Sequence, residues 1–206
     1  MNNFKKNGFL LSTIITDPAE LYGRNKQKRE LQQLEFNLTI AKSSTQLIGE
    51  RRSGKTSTLI CLKRKVEDNP DYNKLIPVYI NTDKYSTISD HDNGYELLAA
   101  FMLDAIFDNS NVNKNYFSIK NYNISKKQTV LEHKNNINKL DISGPDFFEY
   151  LIRRSADLGF SFILLLDEYE FLFHKTLSEE NSKPFALIRV LAQQKLRNNQ
   201  KLRVCI

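Results

Sequence analysis

Gly49-Glu50-Arg51-Arg52-Ser53-Gly54-Lys55-Thr56 decides the reading of this chain. It fits the pattern Gly, four residues, Gly-Lys-Ser/Thr. Two glycines at that spacing let the backbone turn tightly, so that successive N–H groups point inward at a polyphosphate. Each side chain then has a separate task. The Lys55 ammonium reaches the outer phosphates, and the Thr56 hydroxyl, followed by Ser57, is placed to ligate the Mg²⁺ that travels with a nucleotide. The helix expected to follow adds its positive dipole end.

The flanks supply the setting that such a loop needs. Ser44-Thr45-Gln46-Leu47-Ile48 upstream reads as a short strand, and Thr56 to Val66 downstream has no breaker and carries Leu59, Ile60 and Leu62 at helical spacing. Strand, glycine turn and helix are therefore expected in that order.

Further upstream, Leu31, Leu34, Leu38 and Ala41 recur on one helical face, which predicts a helix from about Asn25 to Lys42. Met1 to Thr16 shows no clear period and reads as an extended arm, with Asp17-Pro18 as a turn into the domain, 17–206.

Downstream, Leu75 to Asn81 reads as a strand whose Pro77 suits a sheet edge. Gly94 to Phe107 carries the apolar stripe of a core helix. The stretch 109–143 is rich in asparagine and lysine, holds no period, and is expected to be an irregular surface insertion. Order returns at Gly144-Pro145-Asp146, a helix start, and Gly159 is its stop. A helix with Pro184 in its first turn precedes a final strand beginning at Leu202. Strands alternating with helices predict an α/β fold of three layers, with ligands at the carboxyl ends of a parallel sheet.

Phe162-Ile163-Leu164-Leu165-Leu166-Asp167-Glu168 is the second half of the expected site. A continuous apolar run suits a strand covered on both faces, and the two carboxylates emerge at its end. Asp167 is placed to hold Mg²⁺ together with Thr56. Glu168 is placed to orient a water for in-line attack on the terminal phosphate.

These blocks, together with Leu21-Tyr22-Gly23-Arg24 ahead of the first helix, resemble the AAA+ and STAND group of P-loop NTPases, including the archaeal-type ATPases. The resemblance covers about Asp17 to Ile206. It implies that residues 49–57 bind ATP, that Asp167 holds the metal and that Lys55 and Glu168 are catalytic. It also implies that Tyr22, Gly23 and Arg24 lie beside the adenine and ribose. On the sequence alone Tyr22 reads equally well as an apolar staple onto the following helix. Such domains continue past this point with a sensor residue, an arginine finger, a further strand and a helical lid. The resemblance thus implies a fold incomplete at its C-terminus, and self-association or a partner protein to complete the site.

Size and composition bound the alternatives. At 206 residues, with 40% hydrophobic and 26% charged residues, the chain suits one globular domain with a real core. No apolar run approaches the length of a membrane span, the two cysteines form no CxxC pair, and a cytoplasmic location is expected. The net charge of +6 admits nucleic acid as a partner, although no zinc pattern or helix-turn-helix is evident. His91, His133 and His174 have no ligand-like spacing. Three functions compete: a Mg·ATP hydrolase that resets a conformational or assembly state, a signalling or defence switch with little turnover, and a DNA-associated ATPase.

Overall fold

The computed structural model describes residues 14–17, 25–48, 53–81, 94–117, 122, 127–167 and 184–206. Of the residues singled out in the sequence, Tyr22, Gly23, Arg24, Gly49, Glu50, Arg51, Arg52, Glu168, His91 and His174 lie outside them, as do residues 1–13.

The first helix, α1 (Asn25–Glu35), buries Leu31 and Leu34, and the chain then widens into a π-helical turn over Phe36–Ile40 that buries Leu38. The sequence predicts one helix as far as Lys42, and the change of pitch has a local cause. Thr39 Oγ1 donates to the Glu35 carbonyl (2.7 Å), and the Ala41 N–H reaches back five residues to the Phe36 carbonyl (2.9 Å). Lys42 then takes φ 52°, and the Ser43 N–H caps the end on the Asn37 carbonyl (2.9 Å).

The next elements are α2 (Lys55–Asp68), β1 (Leu75–Asn81), α3 (Gly94–Asp108), α4 (Val130–Ile137), α5 (Gly144–Asp157), β2 (Ser161–Asp167), α6 (Pro184–Gln193) and β3 (Arg203–Cys205). The three strands form one parallel sheet in the order β1-β2-β3. Pro77 sits in β1, an outer strand, where its missing N–H leaves the ladder to β2 intact. Residues 44–48 extend the sheet beyond β3. The Thr45 N–H donates to the Val204 carbonyl (2.8 Å), the Leu47 N–H to that of Ile206 (2.7 Å), and Thr45 bridges Cys205 in parallel.

Helices cover both faces, and alternation along β2 assigns them. Ile163 and Leu165 join Leu31, Leu34 and Leu38 and the α2 residues Leu59, Cys61 and Leu62 in one core. Phe162, Leu164 and Leu166 join α3, α5 and α6 in the other. All seven residues of β2 are buried, which explains its uninterrupted apolar run. Each fully buried leucine there contributes about 1.5–3 kcal/mol. The fold is therefore α/β with a small parallel sheet between two helical layers.

Within 109–143 the structure holds more order than the sequence pattern suggests. Residues Lys114–Phe117 form a 3-10 turn that buries Phe117, and α4 buries His133 and Ile137 against α3. A capping box explains why so short a helix forms. The Thr129 hydroxyl accepts from the Glu132 N–H (3.2 Å) while the Glu132 carboxylate accepts from the Thr129 N–H (2.7 Å). Its apolar residues are too few for a periodic signal, and the cap does what the period cannot.

Candidate functional site

Gly54 takes φ 90° and ψ 17°, a left-handed conformation that any Cβ would strain, and it is the N-cap of α2. Its carbonyl accepts the first bonds of the helix, from the Thr58 N–H (2.9 Å) and the Thr58 hydroxyl (3.1 Å). No side chain caps this end. The first N–H groups of α2, from Lys55 onward, therefore leave the helix axis without intrahelical acceptors, carrying the positive end of the dipole.

Two other segments fix this helix start. Gln27, in the first turn of α1, donates from Nε2 to the Ser53 carbonyl (3.2 Å). Ile15 crosses α2, its N–H donating to Ser57 Oγ (3.1 Å) and its carbonyl accepting from Cys61 Sγ (3.8 Å). Ser57 is buried and engaged on this side, whereas Ser53, Lys55 and Thr56 stay partly exposed. Neither Ile15 nor Gln27 stands out in the sequence, because backbone and amide contacts between distant segments leave no pattern.

The carboxylate of the expected pair that the structure describes, Asp167, ends β2 and is only 5% exposed. It follows Ile163 and Leu165 at alternate positions, so its side chain lies on the sheet face that α2 covers. Tyr79 Oη donates to Asp167 Oδ2 (2.8 Å), and Asn81 Nδ2 reaches Tyr79 Oη (3.4 Å). Asn81 and Asp167 are register partners at the carboxyl ends of β1 and β2. Tyr79 and Asn81 were missed in the sequence. Their signal was two polar-tipped residues at alternate positions closing a strand that is otherwise apolar.

The strand entering the glycine loop and the strand ending in Asp167 are separated by β3 alone and run the same way. Two strand spacings amount to about 10 Å. Loop exit, α2 start and carboxylate thus share one end of the sheet, the end at which parallel α/β sheets bind ligands. Cys205, between them in β3, is a packing group whose thiol burial pushes up to about 12.

Thr56 and Asp167 are the described residues that could hold a hydrated magnesium ion. Among the described residues no hydrogen bond reaches Asp167 Oδ1, and Thr56 offers a partly exposed hydroxyl oxygen. The described residues hold no cluster of three or more His, Cys, Asp or Glu.

Comparison of the chain with protein-family models, with curated proteins and with solved structures finds no match in any of the three. No helix among the described residues is long and apolar enough to cross a membrane.

Proposed function

We propose that the chain is the nucleotide-binding part of a P-loop ATPase of AAA+/STAND type, which binds Mg·ATP and hydrolyses the γ-phosphate to drive a conformational or assembly switch. One observation carries this reading. A left-handed glycine, Gly54, opens an uncapped helix at Lys55, one intervening strand away from a β2 that ends in the buried Asp167.

The chemistry follows from those groups. Main-chain N–H groups from Gly49 to Thr56 hold the phosphates, and the Lys55 ammonium neutralises charge on the outer two. Thr56 and Asp167 would hold magnesium, which supplies charge neutralisation across the β- and γ-phosphates when bound. Glu168 orients water for in-line attack. Tyr22, Gly23 and Arg24 take the base end, and adenine follows from the resemblance; Asn138-Lys139-Leu140-Asp141 matches the guanine-reading pattern in sequence but closes helix α4 instead of following a strand. A second copy or a partner protein supplies the positive charge that completes the transition state. Arg189 and Arg197 are exposed helix and turn charges, and Arg197 lies 3.5 Å from Asp157.

Calorimetry with Mg·ATP and a phosphate-release assay on the wild type and Glu168→Gln test this. Both proteins are expected to bind, and release by the variant is expected to fall by about 10² or more. Equal rates in the two would make the chain a switch with little turnover rather than an ATPase. Absence of nucleotide binding by the wild type would sink both readings. The third reading, a DNA-associated ATPase, rests on the net charge of +6 and predicts a salt-dependent shift of labelled duplex.

A further inference from the structure

We infer that Tyr79 is a positioning residue for Asp167, and that its hydroxyl decides which carboxylate oxygen faces the metal. The inference rests on the nucleotide reading above and extends it to a residue outside the phosphate loop and the acidic strand end.

A carboxylate that is nine-tenths buried must have its lone pairs met, or it costs more than it contributes. Asp167 is 5% exposed, and its one side-chain hydrogen bond among the described residues comes from Tyr79 Oη, 2.8 Å from Oδ2. Oδ1 is left as the acceptor available to a metal-bound water. A phenol fixed on one oxygen also stops the carboxylate from rotating about its Cβ–Cγ bond, so Oδ1 keeps one direction.

Tyr79 is itself well placed for this work. It sits two residues before the end of β1 on the face shared with Ile163 and Leu165, and its ring packs against their core. Asn81, next on that face, donates to the same hydroxyl oxygen at 3.4 Å, which turns the phenol hydrogen toward Asp167. Outer partners of this kind typically change metal affinity 10–100-fold when removed.

The test compares wild type, Tyr79→Phe and Asp167→Asn by calorimetry with ATP in magnesium and with ATP in EDTA. The readout is the ratio of the two dissociation constants, which reports the metal's share of binding and is insensitive to general loss of stability. Tyr79→Phe is expected to bind ATP in EDTA within about twofold of wild type and to lower the magnesium enhancement about tenfold or more. Asp167→Asn is expected to lower it further. An unchanged ratio in Tyr79→Phe, with Asp167→Asn impaired, overturns the role of Tyr79 and leaves the nucleotide reading standing. No ATP binding by wild type in either buffer overturns that reading itself, and this inference with it. Should Tyr79→Phe fail to fold, 3-fluorotyrosine at position 79 keeps the ring and strengthens the donor. A magnesium enhancement that differs from wild type then supports the role, and an identical one overturns it.

Discussion

Thr45 pairs with Cys205 on one side of β3 while Leu165 pairs with Cys205 on the other. That single residue therefore sets how far the strand before Gly49 stands from the strand that ends at Asp167. One strand between them leaves about 10 Å, enough for a phosphate and a hydrated ion between loop and carboxylate. Direct pairing of the two strands would leave half of that. β3 is short and its Val204 and Cys205 are buried, so the spacing is held by packing on both faces as well as by the ladder.

Arg203 opens β3 with its side chain 1% exposed, and its Nε and Nη1 have no hydrogen-bond partner among the described residues. Burial pulls its guanidinium from the ordinary value down to about 10. A base depressed on folding loses stability as it is protonated, so the cost is fully present below about pH 10 and is relieved only above it. Arg203→Met is therefore expected to stabilise the fold by about 1–4 kcal/mol, equally at pH 6 and pH 9. Urea denaturation measures this. A destabilisation would mean that the guanidinium has a partner in solution.

His133 is fully buried in α4, with Nδ1 2.5 Å from Tyr122 Oη and no partner for Nε2 among the described residues. Burial pushes the Tyr122 phenol up to about 12, so the hydroxyl shares a proton-bearing hydrogen bond with Nδ1 of a neutral imidazole. Burial also holds the His133 pKa below its ordinary value, against a smaller opposing pull from Glu132. The unfolded chain then binds a proton first as pH falls. Stability from this group is complete above about pH 6.5 and is lost on acidification from there toward the depressed folded value. His133→Asn is expected to be less stable at neutral pH but to show a flatter stability profile between pH 7 and 5. A wild-type profile already flat over that range would contradict the lowered His133 pKa.

Thr129 holds α4 through its capping box. Thr129→Ala is expected to cost about 1 kcal/mol and to speed amide exchange across residues 130–137, with little change in β2. Exchange followed by mass spectrometry distinguishes this from a global loss. Uniform acceleration would show that α4 and the sheet open together.

The local chemistry alone determined a good deal here. Gly54-Lys55 marked a glycine turn into a helix, and a run of apolar residues before Asp167 marked a central strand. Pro77 marked a sheet edge, and Gly159, at φ 81°, marked the end of α5. Each of these depends on residues close together, where sterics and period act directly. Tertiary structure alone decided the insertion of β3 between the two site strands, the π-turn after α1, and the arrival of Ile15 and Gln27 at the start of α2. It alone joined Tyr79 to Asp167, 88 residues apart. Strand order and cross-chain hydrogen bonds are choices among packings of similar local energy. They are settled only when both faces of the sheet are buried at once, and no short stretch of chain records that sum.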